Sequence, residues 1–412
     1  MIERVIVVGV DLGQENFNDS MAELKELVGA ASGLVVGMVT QKRQRVVAST
    51  YIGKGKLDEL SEMADELEAD TIVFNNELSG SQSRNIELRV NRKIIDRTGL
   101  ILDIFASRAT SKAGKLQVQL AQLKYRLPRL QGYYSNLSRV AGGIGTRGLG
   151  EQQLELDRRA INREILQIKR QLENVELTRQ NTRTHRQKSH LPLVSLVGYT
   201  NSGKSTILNS LIDENKQVFV KDMVFATLDT TLRRVILPNG LPIIMSDTVG
   251  FVSELPTLLV EAFKSTLEEV LEAHLIVIVI DGSKSDVQMQ VETTLEVLDE
   301  LKVTETPILI VFNKMDLVTG NVPYITHEKR AKQIHMSALN EDDIQLLLTE
   351  IQNELSDAFE QVTLFIKYED FALINYLNQQ YQLTDVQYLE DGIQCRSVIH
   401  THDLQRVKDY LV

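Results

Sequence analysis

The 412-residue chain has a single cysteine and no long apolar run, and each of these scarcities excludes a class of protein. One cysteine, Cys395, excludes an internal disulfide and a zinc site built from cysteines. The longest purely apolar stretch, residues 275–280, is too short to span a bilayer, and no signal-peptide pattern opens the chain. We therefore expect a cytoplasmic protein without a membrane span.

Acidic residues are absent from positions 104–150, although the whole chain has a net charge of −11. Residues 84–190 contain 22 Lys and Arg against 9 Asp and Glu, a balance of +13, which leaves −24 for the rest of the chain. A solvated basic helix face would explain one short run of charges. A reversal of sign over more than a hundred residues instead favours a region that meets phosphates.

Hydrophobic periodicity predicts an α/β protein of four parts. Residues 1–110 alternate strand-like and helix-like runs, which is typical of an α/β domain around a parallel sheet. Residues 111–190 contain two segments with apolar residues at 3.5-residue spacing and predict a long antiparallel helical hairpin, with a glycine-rich loop at 142–150. Pro128 is expected to end or kink the first of these helices, and residues 179–190 are interpreted as a linker.

The remaining sequence predicts two further domains. Residues 191–358 have the pattern of a central P-loop domain with a doubly wound, mostly parallel sheet. Residues 359–412 predict a small C-terminal α+β domain.

A phosphate-binding loop follows the apolar strand 193–197 and leads into a helix, which is the context that this motif requires. Backbone N–H groups would wrap the β-phosphate, Lys204 would bridge the β- and γ-phosphates, and the Ser205 hydroxyl would ligate Mg²⁺. The predicted residues of this loop are Gly198, Tyr199, Thr200, Asn201, Ser202, Gly203, Lys204, Ser205 and Thr206.

A second motif, Asp247-Thr248-Val249-Gly250, ends the next apolar strand. An acid at this position can hold Mg²⁺ through water, and the Gly250 N–H can sense the γ-phosphate. By itself the tetrapeptide is also compatible with a capped turn. Its position after the phosphate-binding loop favours the nucleotide site.

The nucleotide base is predicted to be guanine. Asn313-Lys314-Met315-Asp316 follows a buried strand, and the Asp316 carboxylate can accept two N–H bonds that guanine offers and adenine lacks. Ser337-Ala338-Leu339 would supply a backbone donor near guanine O6. This ordered set separates a GTPase from an ATPase or a kinase.

The switch segment is predicted at Phe225-Ala226-Thr227-Leu228-Asp229. Thr227 is expected to close on Mg²⁺ when the γ-phosphate is present, with Thr230 and Thr231 as alternatives. The predicted metal ligands are therefore Ser205, Thr227 and Asp247, and the predicted catalytic residues are Lys204, Thr227 and Gly250.

Phe251 stands where many GTPases have a water-positioning glutamine, so we expect slow hydrolysis until a partner completes the site. Asn201 is compatible with holding a potassium ion, and equally with only stabilising the loop.

Together these motifs resemble the HflX family of translation-associated GTPases. The resemblance spans most of the chain and loosens over the last fifty residues. Leu149 replaces a more common proline, and Ser202 replaces a common alanine. The matching segments are Thr50–Lys56, Lys115–Pro128, Gly142–Gly148, Glu155–Arg159, Gly198–Ser205, Phe225–Asp229 and Asp247–Phe251.

The resemblance implies a GTPase that binds the large ribosomal subunit and its rRNA, with the hairpin loop and Arg147 near the peptidyl-transferase region. It also implies a role in splitting or rescuing stalled ribosomes under stress, partial ribosome or membrane association, and ATP as a candidate second ligand of the N-terminal domain. No phosphate-binding loop occurs in residues 1–100. We expect a monomer. The alternatives are a GTP-regulated RNA-binding or remodelling protein not restricted to ribosomes, and a protein scaffold that uses the hairpin.

Overall fold

The computed structural model describes most of the chain, and the described residues divide into two compact units, 2–175 and 176–412. Side chains are not described at 131–134, 149–152, 176–188 and 379. The described residues are 2–14, 16–134, 149–188, 191–211, 231–248, 250, 270–284, 286–303, 306–325, 331–356, 359–381 and 383–412.

The first unit contains a four-stranded parallel sheet of order β2-β1-β3-β4, as the alternating pattern predicts. Its core consists of apolar side chains, most of them aliphatic, from the strands and from the segments that pack on them. The strands are β1 (Glu3–Asp11), β2 (Gly33–Lys42), β3 (Thr71–Phe74) and β4 (Lys93–Asp96). The helices are α1 (Phe17–Ala30), α2 (Lys54–Glu66), α3 (Gly80–Val90) and α4 (Arg97–Arg108).

The predicted helical hairpin is formed by α5 (Lys112–Tyr134) and α6 (Leu149–Lys188). Apolar residues of both helices bury a common seam. Gln119 of α5 bonds Glu164 of α6, whereas farther along α5 Arg126 lines one cavity with Asp157, so the two helices run antiparallel. The buried residues of the seam are Leu116, Leu120, Leu123, Ile165 and Ile168.

Two features of this region differ from the expectation. Helix α5 does not end at Pro128 but continues to Tyr134, so the helix tolerates the loss of one N–H donor there, and a kink at Pro128 stays a prediction. The predicted linker 179–190 is helical as far as Lys188, since it contains neither glycine nor proline.

The second unit is built on a six-stranded sheet of order β10-β9-β8-β5-β7-β6, in which only the β6–β7 pair is antiparallel. This confirms the predicted mostly parallel sheet. The strands are β5 (Leu193–Val197), β6 (Thr231–Ile236), β7 (Pro242–Asp247), β8 (Leu275–Asp281), β9 (Ile308–Asn313) and β10 (Lys332–His335). The helices are α7 (Lys204–Ser210), α8 (Val287–Glu300) and α9 (Glu341–Leu355).

A three-stranded antiparallel sheet of order β11-β13-β12 follows, and two helices pack on it. Cys395 is buried in the core between them. The sequence pattern predicts strands at 362–367 and 392–399 and helices at 371–377 and 404–411, so it misses β12 and begins the last helix three residues too late. The elements are β11 (Phe359–Lys367), α10 (Phe371–Gln380), β12 (Thr384–Tyr388), β13 (Gly392–His400) and α11 (Thr401–Val407). Among the described residues, no helix has the length and apolarity needed to cross a bilayer.

Candidate guanine-nucleotide site

The phosphate-binding loop leaves the carboxyl end of β5 and enters α7 at Lys204. Two of its glycines are required by geometry. Gly198 has φ +139°, and an added Cβ would lie 2.1 Å from the Val279 carbonyl oxygen; Gly203 has φ +98°, and its Cβ would lie 2.1 Å from Asn313 Nδ2. A side chain at either position would therefore displace a neighbouring strand end.

Lys204 is buried and points into its own loop. Its Nζ donates hydrogen bonds to the carbonyl oxygens of Gly198 (3.0 Å) and Tyr199 (2.8 Å). Burial lowers the pKa of Lys204 to about 8, with the Asp247 carboxylate opposing this shift. The ammonium group is thus poorly solvated and favours an anionic partner.

Asp247 is brought beside Ser205 because β7 lies next to β5, with Leu196 paired to Asp247 in register. The Ser205 hydroxyl donates to Asp247 Oδ2 at 2.5 Å, and Thr248 donates to the Leu196 carbonyl at 2.7 Å. A hydroxyl and a buried carboxylate form an oxygen donor set of the kind that Mg²⁺ prefers. The residues present therefore fit this ion.

Gly250 lies directly against the phosphate-binding loop. A Cβ on Gly250 would approach the Thr200 Cα to 2.8 Å and the Thr200 backbone nitrogen to 3.1 Å. Only a glycine allows this backbone approach, which leaves room for a nucleotide phosphate near the Gly250 N–H.

Asn313 ties the base-recognition loop to two other loops. Its Nδ2 donates to the Ser202 carbonyl and its Oδ1 accepts from the Ala338 N–H, both at 2.9 Å. The Ala338 donor predicted for guanine O6 is thus engaged by Asn313. Asp316 lies exposed, and the described part of the chain gives its carboxylate no hydrogen-bond or ion-pair partner. Both of its oxygens are available to donors of a base.

Two acids that sequence reasoning missed support this loop. Asp281, at the end of β8, forms an ion pair with Lys314 (Nζ–Oδ2 2.9 Å), and the following Gly282 N–H donates to the Asn313 carbonyl at 2.9 Å. Asp343 accepts the Ser337 N–H at 2.8 Å. The ends of β5, β7 and β9 all marked functional residues, so the acid that ends β8 at the same sheet edge could have been recognised in this way.

The remaining predicted residues are placed as follows. Tyr199, Thr200 and Ser202 are buried in the phosphate-binding loop, Asn201 has φ +59°, and Thr206 lies in the first turn of α7. Met315 donates its N–H to the Met336 carbonyl, and Leu339 is exposed.

The predicted switch residues lie outside the described residues, as does Val249: these are Phe225, Ala226, Thr227, Leu228 and Asp229. Of the two alternatives to Thr227, Thr230 also lies outside, whereas Thr231 opens β6 and pairs with Asp247 in register.

The structure therefore brings the phosphate-binding loop, Asp247, Gly250 and the 313–316 loop to one edge of the sheet, at the carboxyl ends of parallel strands. This edge of an open α/β sheet is where such folds bind ligands. The glycines leave space for phosphates beside a poorly solvated lysine. Oxygen donors are available for Mg²⁺, and an exposed carboxylate is available to bind a base.

Comparison with known proteins finds family models that match most of the chain. Three family models match in succession: "GTP-binding GTPase N-terminal" at residues 18–106, "GTP-binding GTPase Middle Region" at 108–186, and "50S ribosome-binding GTPase" at 193–314. The chain is also similar to a GTP-binding protein of Sulfolobus solfataricus solved with GDP, at 25% identity and a TM-score of 0.45, covering 86% of this chain and 99% of that one.

The curated relatives extend over almost the full length. The GTPase HflX of Caldanaerobacter subterraneus subsp. tengcongensis is 43% identical over 410 residues, which is 100% of this chain and 94% of the relative. The GTPase HflX of Alkalihalophilus pseudofirmus is 46% identical over 411 residues, or 99% and 96% of the two chains. This protein binds guanine nucleotides and hydrolyses GTP, and it belongs to the HflX family of GTPases.

Proposed function

We propose that this GTPase binds the large ribosomal subunit through its basic segment and splits or rescues stalled ribosomes under stress, with GTP hydrolysis releasing it. The observation that carries the proposal is the position of the +13 segment, because residues 84–190 include the whole hairpin of α5 and α6. Arginines and lysines lie exposed along α6, where they can meet phosphates of rRNA. These residues are Arg158, Arg159, Arg163, Lys169 and Arg170.

The family model matched by residues 193–314 supports this partner through its description, a 50S ribosome-binding GTPase. The predicted domain boundaries at 110, 190 and 358 remain part of the proposal.

In the proposed site, the Lys204 ammonium exchanges its two carbonyl partners for β- and γ-phosphate oxygens. Ser205 and Asp247 would hold Mg²⁺, with Thr227 as the third ligand, and this ion would neutralise phosphate charge when bound. The Gly250 N–H reports the γ-phosphate, and the Asp316 carboxylate accepts the guanine N–H groups. Because Asp281 fixes Lys314 and Asn313 joins three loops, the base pocket is held before the nucleotide enters.

Phe251 cannot orient the attacking water, so we propose that the ribosome supplies or positions the missing group. Turnover of GTP, measured with and without purified large subunits, tests this directly. Strong stimulation by subunits is the expected result. Equal stimulation by unrelated RNA would instead support a general RNA-binding protein, and no stimulation by either would support a scaffold.

Potassium belongs to the same proposal. Asn201 has a left-handed backbone (φ +59°) within the phosphate-binding loop, and its side-chain oxygen could bind the ion beside the phosphates. Subunit-stimulated turnover should be faster in KCl than in NaCl, and Asn201→Ala should remove the difference. Equal rates of the native enzyme in both salts would leave Asn201 with the loop-stabilising role only.

The basic segment is tested by charge reversal. Arg158→Glu and Arg163→Glu together should weaken co-sedimentation with large subunits and flatten its dependence on salt, because fewer counterions are released. Lys42→Glu is a matched control, since Lys42 is exposed and lies outside residues 84–190. Equal losses in both proteins would contradict the assignment of the hairpin as the RNA-facing part.

A further inference from the structure

The C-terminal sheet exposes large apolar side chains beside its free edge. The outer edge of β11 is partly covered by the chain terminus, since Leu411 forms a bridge with Leu364 and the Val412 N–H donates to the Thr363 carbonyl. Within the described part of the chain, β12 pairs with β13 alone. We define the acidic aromatic surface as the exposed residues Tyr368, Glu369, Phe371, Val386, Tyr388, Leu389, Glu390 and Asp391.

The two chain segments that carry these residues are joined by a hydrogen bond. The Tyr368 hydroxyl donates to the Leu389 carbonyl at 2.9 Å, which joins the segments directly. Tyr388 pairs in register with Ile393, which in turn pairs with Ile366, so Tyr388 lies on the sheet face that α10 covers. Phe371 is the first residue of α10 and is 57% exposed.

The surface contains several large apolar side chains that are well exposed. Tyr388 is 75% exposed although it lies on the core-facing side of its strand. Tyrosine and phenylalanine are the residues most enriched at the centres of protein interfaces, because they bury much area with few rotatable bonds. An exposed group of such residues marks a contact site.

Its charge identifies the kind of partner. Glu369, Glu390 and Asp391 have no ion-pair partner among the residues that the structure describes, whereas Asp385 nearby is paired with Arg396. Three uncompensated carboxylates repel nucleic-acid phosphates and attract Lys and Arg. This is the opposite preference from that of the hairpin.

We propose that the acidic aromatic surface docks a basic segment of a protein of the large ribosomal subunit, with aliphatic parts of that segment covering Tyr388 and Phe371. The inference rests on the proposed function, because a protein that sits on rRNA must itself carry basic segments to meet the phosphates. The GTPase then contacts the subunit in two ways, through RNA at the hairpin and through protein at the C-terminal sheet.

Site-specific photo-crosslinking tests this partner. Benzoylphenylalanine replaces Tyr388, and the full-length protein is irradiated with purified large subunits in the presence of a non-hydrolysable GTP analogue. The expected product is a covalent adduct to a subunit protein, resistant to ribonuclease and lost on proteolysis. An adduct to rRNA, to a second copy of this chain, or within the chain itself would overturn the inference, as would co-sedimentation without any adduct. Absence of co-sedimentation in the native protein would instead sink the proposed function.

Affinity measurements give an independent test with matched controls. Tyr388→Ala should weaken co-sedimentation with large subunits about five- to tenfold, as expected when an interface anchor is truncated. Tyr324→Ala is the control, since Tyr324 is a tyrosine of almost the same exposure, 72%. Glu390→Lys should also weaken binding, whereas Glu360→Lys, at the other end of β11, should not. Equal effects within either pair would refute the docking role, and an unchanged circular-dichroism spectrum and melting temperature would show that each variant is folded.

Discussion

Two of the sheets formed by the described residues are parallel or mostly parallel, and they differ in what happens to the polar groups at their carboxyl ends. In the first unit these groups are consumed by partners within the protein. In the second unit several of them remain available to bind a ligand. The same strand–helix architecture therefore serves as a structural body in one case and as a nucleotide site in the other.

At the end of β4, Asp96 shows how completely the first edge is satisfied. Its carboxylate accepts from the N–H groups of Leu78 (2.9 Å) and Gly99 (2.8 Å), from the Tyr125 hydroxyl (2.6 Å) and from Arg129 (2.9 Å). Burial and the Asp96 charge raise the pKa of Tyr125, which keeps this phenol protonated as a donor. The network leaves no acceptor free and fixes α5 on the sheet.

The adjacent Arg97 is used in the same way. It is almost fully buried and contacts Glu23 of α1 and Asn75 at the end of β3. On the second edge, by contrast, the hydrogen bonds that Lys204 makes to described residues go to loop carbonyls, and Asp316 is exposed. A buried polar group with all its bonds made stabilises a fold, whereas one with replaceable partners can bind.

The largest expected effect follows from removing the ammonium group of Lys204. Lys204→Ala should lower kcat/KM for GTP about a thousandfold, because a preorganised positive group at the phosphates is lost. The melting temperature should change little, since Lys204 is charged in a site that penalises its charge. Turnover assays and thermal denaturation measure the two quantities. Unchanged turnover would remove Lys204 from the catalytic site.

Removing the Asp96 carboxylate from the first sheet should have the opposite effect to Lys204→Ala: stability should fall while nucleotide binding is kept. Asp96→Ala removes the acceptor of two N–H groups and of the Tyr125 hydroxyl and one of the partners of Arg129, and we expect a loss of about 3–5 kcal/mol in the stability of the first unit. Hydrogen exchange should accelerate in α4 and α5, while GDP affinity stays unchanged. Asp58→Ala is the control, since that acid of α2 lies in a partly exposed ion pair with Arg89 in the same unit, worth about 1 kcal/mol or less. A loss of GDP affinity in the Asp96→Ala protein would contradict the conclusion that the polar groups of the first sheet serve stability and those of the second sheet serve binding.

The support of the base loop should produce a smaller change. Asp281→Asn keeps the size of the side chain but removes the charge that holds Lys314, and we expect GDP to bind about tenfold more weakly. Calorimetric titration with GDP and with ADP is the measurement, and the preference for GDP should decrease. A variant with weaker GDP binding and a lowered melting temperature would show a structural role, and unchanged binding would show none.

The smallest expected effect is a dependence on pH. Lys204 has a pKa of about 8 in this structure, and a bound phosphate would raise it. Above pH 8 the lysine must therefore take up a proton when GDP binds, so affinity falls as pH rises. The decrease between pH 7 and pH 8.5 should be about fourfold. Titration at pH 8.5 in buffers of different ionisation enthalpy should detect proton uptake that is absent at pH 7. Equal uptake at both values would assign the proton to another group.

Much of the fold followed from local pattern. The runs at β1, β3 and β9 are mostly apolar and rich in β-branched residues, so the sequence predicts a strand for each. The sequence of β12, Thr-Asp-Val-Gln-Tyr, has neither apolar continuity nor a buried face, because an edge strand beside solvent needs neither. Its pairing with β13 is a tertiary effect that no window of residues reveals.

The site shows the same division. Motif spacing predicted the phosphate-binding loop, Asp247 and the base loop, because each carries its chemistry in consecutive residues. Asp343 acts on Ser337 from the first turn of the following helix, and nothing in its own neighbourhood distinguishes it from an acid that stabilises a helix terminus. Asp96 and Tyr125 lie 29 residues apart, so their bond depends on how α5 packs and has no local signal.

The buried thiol of Cys395 has a practical consequence for spectroscopy. It is 1% exposed, so a maleimide dye cannot reach it. Burial also raises the pKa of this thiol, which disfavours the thiolate that would attack the dye. The native chain is thus already a background for single-site labelling. Tyr388→Cys or Glu360→Cys would each introduce one reactive position, and the arrival of a large subunit at either end of the small sheet could be followed by fluorescence in real time.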